Sequence, residues 1–141
     1  MKSSQLTRVW LPLAAGLFAV IYVFRNMAGP PNMQRWAGLA LALIGLGGVI
    51  LSRFTLGRSF SVAPKATELV TNGIYSRIRN PIYVSGILFL TGILMIFQRP
   101  VLWIILPVIA ILQITRARRE AQVLEAKFGD AYRNYRAQTW F

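Results

Sequence analysis

Two residue types that carry much of protein chemistry are missing from this chain, which contains no cysteine and no histidine. Without cysteine it has no disulfides and no thiol nucleophile, and without histidine it has no imidazole base. The usual ligands of zinc and haem are missing with them, so we expect no metal site. Any chemistry must therefore depend on arginine, glutamate, tyrosine and asparagine side chains and on backbone groups.

Acidic residues are also scarce, with 4 Asp and Glu against 16 Lys and Arg. Only 14% of the 141 residues are charged and 55% are hydrophobic, a composition typical of a membrane protein and wrong for a soluble globule. In a soluble protein the basic excess would suggest nucleic acid. Here the basic residues lie between apolar runs rather than on one face, so we expect the lipid bilayer as partner and no nucleic acid.

Four apolar runs predict an all-α integral membrane protein of one domain, residues 1–141, with about four transmembrane helices. The predicted spans are residues 9–24, 36–53, 82–97 and 101–115. The first run could also be a signal peptide, but three more apolar runs follow it, so we interpret it as a membrane helix. Residues 98–100 alone separate the last two runs, which predicts a tight helical hairpin. Glycines at 45, 47 and 48 lie inside an apolar run with no strand before it, so they favour close helix packing over a nucleotide loop.

The distribution of basic residues predicts the topology. With four spans, the N-terminus, the loop 54–81 with Arg53 before it, and the C-terminal helix 116–141 share one side of the membrane. The segments on that side contain 2, 5 and 6 Lys and Arg residues, whereas those on the other side contain 2 and 1. Because positive charge is retained in the cytoplasm, we predict a multi-pass protein with both termini cytoplasmic.

The polar segment 73–83 precedes the hairpin and is the first candidate site. Asn72 and Gly73 predict a turn, and Pro81 predicts the first turn of a helix. Arg79 and Asn80 would then lie beside free helix N–H groups, which suit an anionic or polar small molecule. The simpler alternative is that the arginines only anchor the helix at the membrane surface and Asn80 caps it.

A second polar cluster, with Arg116, Arg119 and Glu120, follows the hairpin. A tight hairpin should bring it next to the first cluster. Glu120 lies one helical turn after Arg116, so the pair presents an acceptor and a bidentate donor to a zwitterionic ligand, or forms a simple surface ion pair. Gly129 should end this helix, with Asp130 capping a short helix after it. We also expect the C-terminal helix to pack one face, formed by Ala117, Ala121, Leu124 and Phe128, against the loop residues 60–78.

The order of motifs resembles that of the integral-membrane isoprenylcysteine carboxyl methyltransferase and phospholipid N-methyltransferase superfamily. The resemblance covers residues 56–141 and rests on Leu69-Val70-Thr71, Gly73-Ile74-Tyr75, Arg79-Asn80-Pro81 with Tyr83, Glu120, Leu124, Phe128-Gly129, Tyr132 and Tyr135. It implies a helical membrane enzyme that transfers a methyl group from S-adenosylmethionine to a lipid-borne or hydrophobic acceptor. The cofactor would bind on the cytosolic side, at the Arg-x-Pro-x-Tyr motif and the C-terminal helix.

Carried over residue by residue, the resemblance implies a cofactor site of Leu69, Val70, Gly73, Tyr75, Arg79, Asn80, Pro81, Tyr83 and Glu120. Glu120 would lie near the reaction centre, and with Arg116 and Tyr83 it forms the expected catalytic set. Asn80 stands where eukaryotic carboxyl methyltransferases have histidine, and Ala121 replaces a second glutamate. Methyl transfer to a carboxylate or thiolate needs alignment and desolvation, whereas an amine must lose a proton, for which Glu120 and Tyr83 are the candidates.

Two other functions use the same residues. A membrane scaffold or lipid-binding protein would need Arg79 and Glu120 only as anchors of helix ends. A reductase related to the steroid 5α-reductases would share the hairpin and the motif layout. The sequence does not identify whether an acceptor is a carboxylate, an amine or a thiol.

Overall fold

The computed structural model describes residues 3–26, 30, 32–57 and 69–141, and most of these residues are helical as predicted. The helices are α1 (Ser3–Asn26), α2 (Met33–Leu56), α3 (Pro81–Phe97), α4 (Ile105–Phe128) and α5 (Asp130–Gln138). Short 3-10 helices occupy Gly73–Ser76 and Pro100–Ile104. In this described part the β-structure is limited to one bridge between Ile78 and Trp140.

Two helical segments are long and apolar enough to cross a membrane, namely Met33–Leu56 and the 29 residues Pro100–Phe128. Ala14–Asn26 and Pro81–Phe97 are shorter apolar helices. At about 1.5 Å per residue, α3 covers roughly 26 Å of a hydrocarbon core about 30 Å thick. Each of the four predicted spans falls on a helix or helical turn, and the number that crosses the bilayer stays a prediction.

α2 and α3 form the central pair of the structure and pack against each other along their length. Gly45 lies directly against the backbone of Phe89, and Gly92 lies against the backbone of Ala42. A Cβ added at Gly38 would be 2.8 Å from the carbonyl oxygen of Gly92. The predicted use of glycines for close helix packing is therefore confirmed at Gly45 and at Gly48, which lies against Ser85, but not at Gly47, where an added Cβ would meet nothing within 4 Å.

Buried apolar side chains and hydrogen bonds at one end hold α2 and α3 together. Val20 of α1, Ala42 of α2 and Ile96 of α3 are completely buried together. At the end of the pair where α2 begins, the Gln98 amide donates a 2.8 Å hydrogen bond to Asn32 Oδ1. Asn32 also accepts from the Arg35 N–H at 3.0 Å and so caps α2. The polar turn before α3 lies at the opposite end.

α4 packs less closely against α3 than α2 does, and it contacts α3 at few points. Most of its apolar side chains are exposed, including Val108 at 53%, Ile111 at 61% and Leu112 at 53%. Apolar surface of this extent is typical of contact with lipid.

Two predicted boundaries are corrected and one is confirmed. The loop 54–81 begins later, because α2 continues through Leu56, and residues 58–68 lie outside the described part. In the C-terminal segment 116–141, the predicted helix end at Gly129 is confirmed, since this residue (φ 52°) ends α4 and separates it from α5. Gly129 rather than Asp130 occupies the N-cap of α5, and the Asp130 carboxylate instead accepts a 3.0 Å hydrogen bond from Arg133.

Candidate functional site

The polar turn before α3 depends on Gly73. Its φ of 57° is in the left-handed region that glycine adopts readily, and an added Cβ would lie 3.1 Å from Thr55 Cγ2 at the end of α2. Ser76 closes the turn by donating a 2.7 Å hydrogen bond to the Gly73 carbonyl. The turn places Tyr75 in a buried position, 8% exposed.

The last residues of the chain run beside the segment that leads into α3. Trp140 donates its N–H to the Arg77 carbonyl at 2.8 Å, and the Arg79 N–H donates to the Trp140 carbonyl at 3.0 Å. The Asn80 N–H and side-chain Nδ2 both donate to a Phe141 oxygen, at 3.0 and 3.3 Å. We call residues 139–141 the C-terminal strap.

The strap corrects two predictions about the start of α3. Pro81 is at the first helical position as predicted, but Asn80, at the N-cap, makes no capping hydrogen bond with its side chain. The expected cluster of free N–H groups is also largely occupied, since those of Arg79 and Asn80 donate to the strap and that of Tyr83 to the Asn80 carbonyl. Recognition of an anion here must therefore come mainly from side chains.

α5 covers the turn with two tyrosines. Tyr132 and Tyr135 are 1% and 9% exposed, and the Tyr135 hydroxyl donates a 2.8 Å hydrogen bond to the Tyr75 carbonyl. The C-terminal region was expected to pack over the polar loop. At Tyr75 it is α5 that makes this contact. Ala117 of α4 is buried as well. Part of the loop that it was expected to meet, at residues 58–68, lies outside the described residues.

Tyr83 and Glu120 connect the two arms of the hairpin. The Tyr83 hydroxyl donates to Glu120 Oε2 at 3.2 Å, so the first turn of α3 meets the middle of α4. The alternative of a surface ion pair is wrong, because in the described part of the chain no ion pair joins Glu120 to Arg116. Glu120 is half-buried and turned toward α3, whereas Arg116 is exposed.

Arg79 reaches the same cluster from the other side. Its Nε atom is buried and finds no hydrogen-bond partner among the described residues. Burial raises the pKa of Tyr135 to about 12 and also raises the pKa of Tyr132, and the positive charge of Arg79 opposes both shifts. The negative charge of Glu120 has the opposite effect to that of Arg79 and helps to raise the pKa of Tyr132. Arg79 and Glu120 therefore both act on Tyr132 although 40 residues separate them in the sequence.

Burial, followed by the negative charge of Glu120, raises the pKa of Tyr75 well above its ordinary value. Tyrosine, with an ordinary pKa of 10.0, is neutral at physiological pH, and the raised pKa values of Tyr75, Tyr132 and Tyr135 take them further from ionisation. Neutral phenols supply hydrogen-bond donors and apolar ring faces. The site thus combines a cation with an unused donor, a carboxylate and a set of neutral tyrosines.

The remaining predicted residues lie at the edge of this cluster. Leu69 and Val70 are half-buried ahead of the turn, and Gly73 is exposed at its start. Tyr132 and Tyr135 belong to the motifs that carry the resemblance but are missing from the predicted site residues. Their spacing of three residues, which puts both on one face of an otherwise polar helix, is the signal that could have identified them. The described residues contain no group of three or more acidic, histidine or cysteine side chains that could hold a metal ion.

Comparison with known proteins identifies the family of this chain. The family model of phospholipid methyltransferases matches residues 33–131, from the start of α2 to the beginning of α5. A search of curated proteins gives no match. The matched region is more than two thirds of the chain and includes the polar turn, Arg79, Tyr83 and Glu120. The chain therefore belongs to the phospholipid methyltransferase family, whose members are membrane methyltransferases, as its resemblance to the wider superfamily predicted.

Proposed function

We propose that the protein is an S-adenosylmethionine-dependent methyltransferase that acts on a lipid-borne or hydrophobic acceptor in the membrane. The observation that carries the proposal is the hydrogen bond between Tyr83 and Glu120, 3.2 Å long. It joins the Arg-x-Pro-x-Tyr segment to the opposite arm of the hairpin, beside Arg79. All three residues lie in the region that matches the family.

The residues present fit the cofactor. S-adenosylmethionine carries a carboxylate, an ammonium and a sulfonium, and when bound it supplies an electrophilic methyl group. The buried Nε of Arg79, which lacks a partner among the described residues, is a suitable donor for the carboxylate. The Glu120 carboxylate would face one of the positive groups. Leu69, Val70, Gly73, Tyr75, Asn80 and Pro81 would form the wall on the side of the turn.

The work of the chain's own residues would be orientation and exclusion of water. Holding the reacting groups in line and removing solvent lowers the barrier to methyl transfer, and a carboxylate or thiolate acceptor needs no base. An amine acceptor must release a proton. Glu120, which already accepts a hydrogen bond from Tyr83, is the group we propose to receive it. Exposed Arg116, one turn earlier, would meet an anionic group of the ligand at the edge of the site.

Calorimetric titration of the detergent-purified chain tests this function. We expect S-adenosylmethionine and S-adenosylhomocysteine to bind and NADPH to give no heat of binding. Binding of NADPH alone would indicate a reductase instead. If none of the three binds to folded protein, a scaffold or lipid-binding function replaces the methyltransferase.

A further inference from the structure

The C-terminal strap is attached to the segment before α3 through its main chain. The Trp140 N–H donates to the Arg77 carbonyl at 2.8 Å, and the Trp140 carbonyl accepts from the Arg79 N–H at 3.0 Å. The two segments form a parallel bridge at Ile78 and Trp140. Trp140 as a whole is 67% exposed. Both of its main-chain groups are therefore used while its side chain stays at the surface.

The strap holds the part of this segment that the polar turn does not hold. The N–H groups of residues 77 and 78 donate to the Ile74 carbonyl within the turn, at 3.4 and 3.1 Å. The N–H groups of Arg79 and Asn80 donate to the strap instead. Arg79 and Asn80 lie between the 3-10 helix of the turn and the start of α3, so neither helix includes them. The strap thus restrains the main chain that carries Arg79.

α5 anchors the strap to the same segment at a second place. The Thr139 hydroxyl donates to the Tyr135 carbonyl at 2.9 Å, where α5 leads into the strap. The Tyr135 hydroxyl in turn donates to the Tyr75 carbonyl at 2.8 Å. Tyr135 is buried, so this end of the attachment is shielded from solvent. α5 and the strap together therefore hold the segment on both sides of Arg77.

The side chain of Arg79 makes this restraint important for binding. Arginine is long and flexible, and ordering it costs conformational entropy. Its Nε is nevertheless buried, without a hydrogen-bond partner among the described residues. A group that is already held in its binding position pays less of this entropy when the ligand arrives. A restrained main chain at Arg79 would prepare the guanidinium in this way.

We propose that the C-terminal strap positions Arg79 for its ligand, through the main-chain N–H and carbonyl of Trp140. When the strap is paired, Arg79 is held beside the tyrosine cluster. When it is unpaired, the main chain of Arg79 loses its restraint and the ligand binds less well. The identity of the ligand rests on the function proposed above. Because linkage is reciprocal, a ligand that prefers the paired form must also stabilise the pairing.

Trp140→Pro and Trp140→Ala separate the main chain of Trp140 from its side chain. Proline has no N–H, and its ring would press against the Arg77 carbonyl, so the pairing is lost. Thr139 already has the extended conformation that a following proline favours, with φ −118° and ψ 147°. Calorimetry should show about tenfold weaker binding of S-adenosylhomocysteine to Trp140→Pro, the lower end for a hydrogen bond to a charged group. Trp140→Ala keeps both main-chain groups and should retain wild-type affinity.

A double-variant cycle shows whether the strap acts through Arg79. In the Arg79→Gln background, Trp140→Pro should not weaken binding further, because the side chain that the strap positions is gone. If the strap only stabilised the fold, Trp140→Pro would weaken binding by the same factor in both backgrounds. That result overturns the proposal, as does equal loss of affinity in Trp140→Pro and Trp140→Ala.

Amide hydrogen exchange of the wild type tests the pairing without any variant that has to fold. The Trp140 N–H should exchange slowly, and saturating S-adenosylhomocysteine should slow it further. Trp140 is outside the predicted cofactor residues, so added protection reports on the strap itself. Unchanged exchange would show that ligand and pairing are independent. Faster exchange would show that the ligand displaces the strap, and either result overturns the proposal.

The same measurements separate failure of this proposal from failure of the proposed function. A wild type that binds no S-adenosylhomocysteine ends the methyltransferase proposal, and the role of the strap in binding ends with it. The role of the strap fails alone if S-adenosylhomocysteine binds the wild type and Trp140→Pro with equal affinity while both proteins melt cooperatively.

Discussion

At the scale of single residues, the partner of a charged side chain is decided by tertiary packing. A local rule pairs Glu120 with Arg116 at i, i−4, and the sequence alone offered no reason to prefer another partner. In the folded chain the carboxylate instead accepts a hydrogen bond from Tyr83, which is 37 residues away. The positions of Glu120 and Tyr83 on facing helices could be predicted, but the contact between their side chains could not.

Tyr135 gives a prediction at this scale. Its hydroxyl donates to the Tyr75 carbonyl at 2.8 Å, so Tyr135→Phe should lower the free energy of unfolding by about 1 kcal/mol at neutral pH. Burial raises the Tyr135 pKa from 10.0 to about 12, which means that the folded state holds this proton more tightly than the unfolded state. Stability is therefore complete below pH 10 and is lost as the pH rises toward 12.

Melting temperatures of the wild type and Tyr135→Phe, measured in detergent from pH 7 to pH 12, check both parts of this prediction. The wild type should lose more stability than the variant above pH 10. Parallel curves for the two proteins would show that the Tyr135 hydroxyl is not buried as described.

At the scale of the elements, local signals in the sequence placed the helices well. The apolar runs, Pro81 and Gly129 each mark a helix or its end in the structure. Those signals did not reveal the C-terminal strap. Its pairing with residues 77–80 is made largely through backbone N–H and carbonyl groups, which every residue carries, so side-chain identity contains little information about it.

The packing of α2 on α3 predicts opposite results for two glycines that are only two residues apart. Gly45→Ala would force a methyl group into the backbone of Phe89, whereas a Cβ at Gly47 meets nothing within 4 Å. We expect Gly45→Ala to lower the free energy of unfolding by about 1–3 kcal/mol or more. Gly47→Ala should be neutral or stabilising by up to about 1 kcal/mol, because alanine favours the helix.

Unfolding of the two variants in mixed detergent micelles, followed by circular dichroism, measures this difference. Equal stabilities for Gly45→Ala and Gly47→Ala would contradict the close approach of α2 and α3.

At the scale of the whole molecule, the distribution of basic residues predicts four spans with the site on the cytoplasmic side. Reporter fusions at Phe141 and Gln98 check this topology. A reporter at Phe141 should behave as cytoplasmic and one at Gln98 as external. The opposite results would place Arg79 and Glu120 on the side of the membrane that a cytosolic cofactor does not reach.

The central claim is that Arg79 and Glu120 bind one ligand from two sides of the tyrosine cluster. Arg79→Gln and Glu120→Gln each remove a charge from the site with little change in size. Arg77→Gln and Glu125→Gln are the matched controls, because Arg77 is exposed and Glu125 binds Arg133 and Arg136 at the surface. The controls should retain wild-type affinity for S-adenosylhomocysteine.

The decisive measurement is the affinity for S-adenosylhomocysteine by calorimetry, taken together with the melting temperature of each protein. Arg79→Gln and Glu120→Gln should each weaken binding by about 10- to 100-fold, or roughly 1.5–3 kcal/mol, the scale of a charge-assisted hydrogen bond. Each variant should still melt cooperatively. Unchanged affinity in both, with a lowered melting temperature, would show that the two residues only anchor helix ends and would contradict the proposed site.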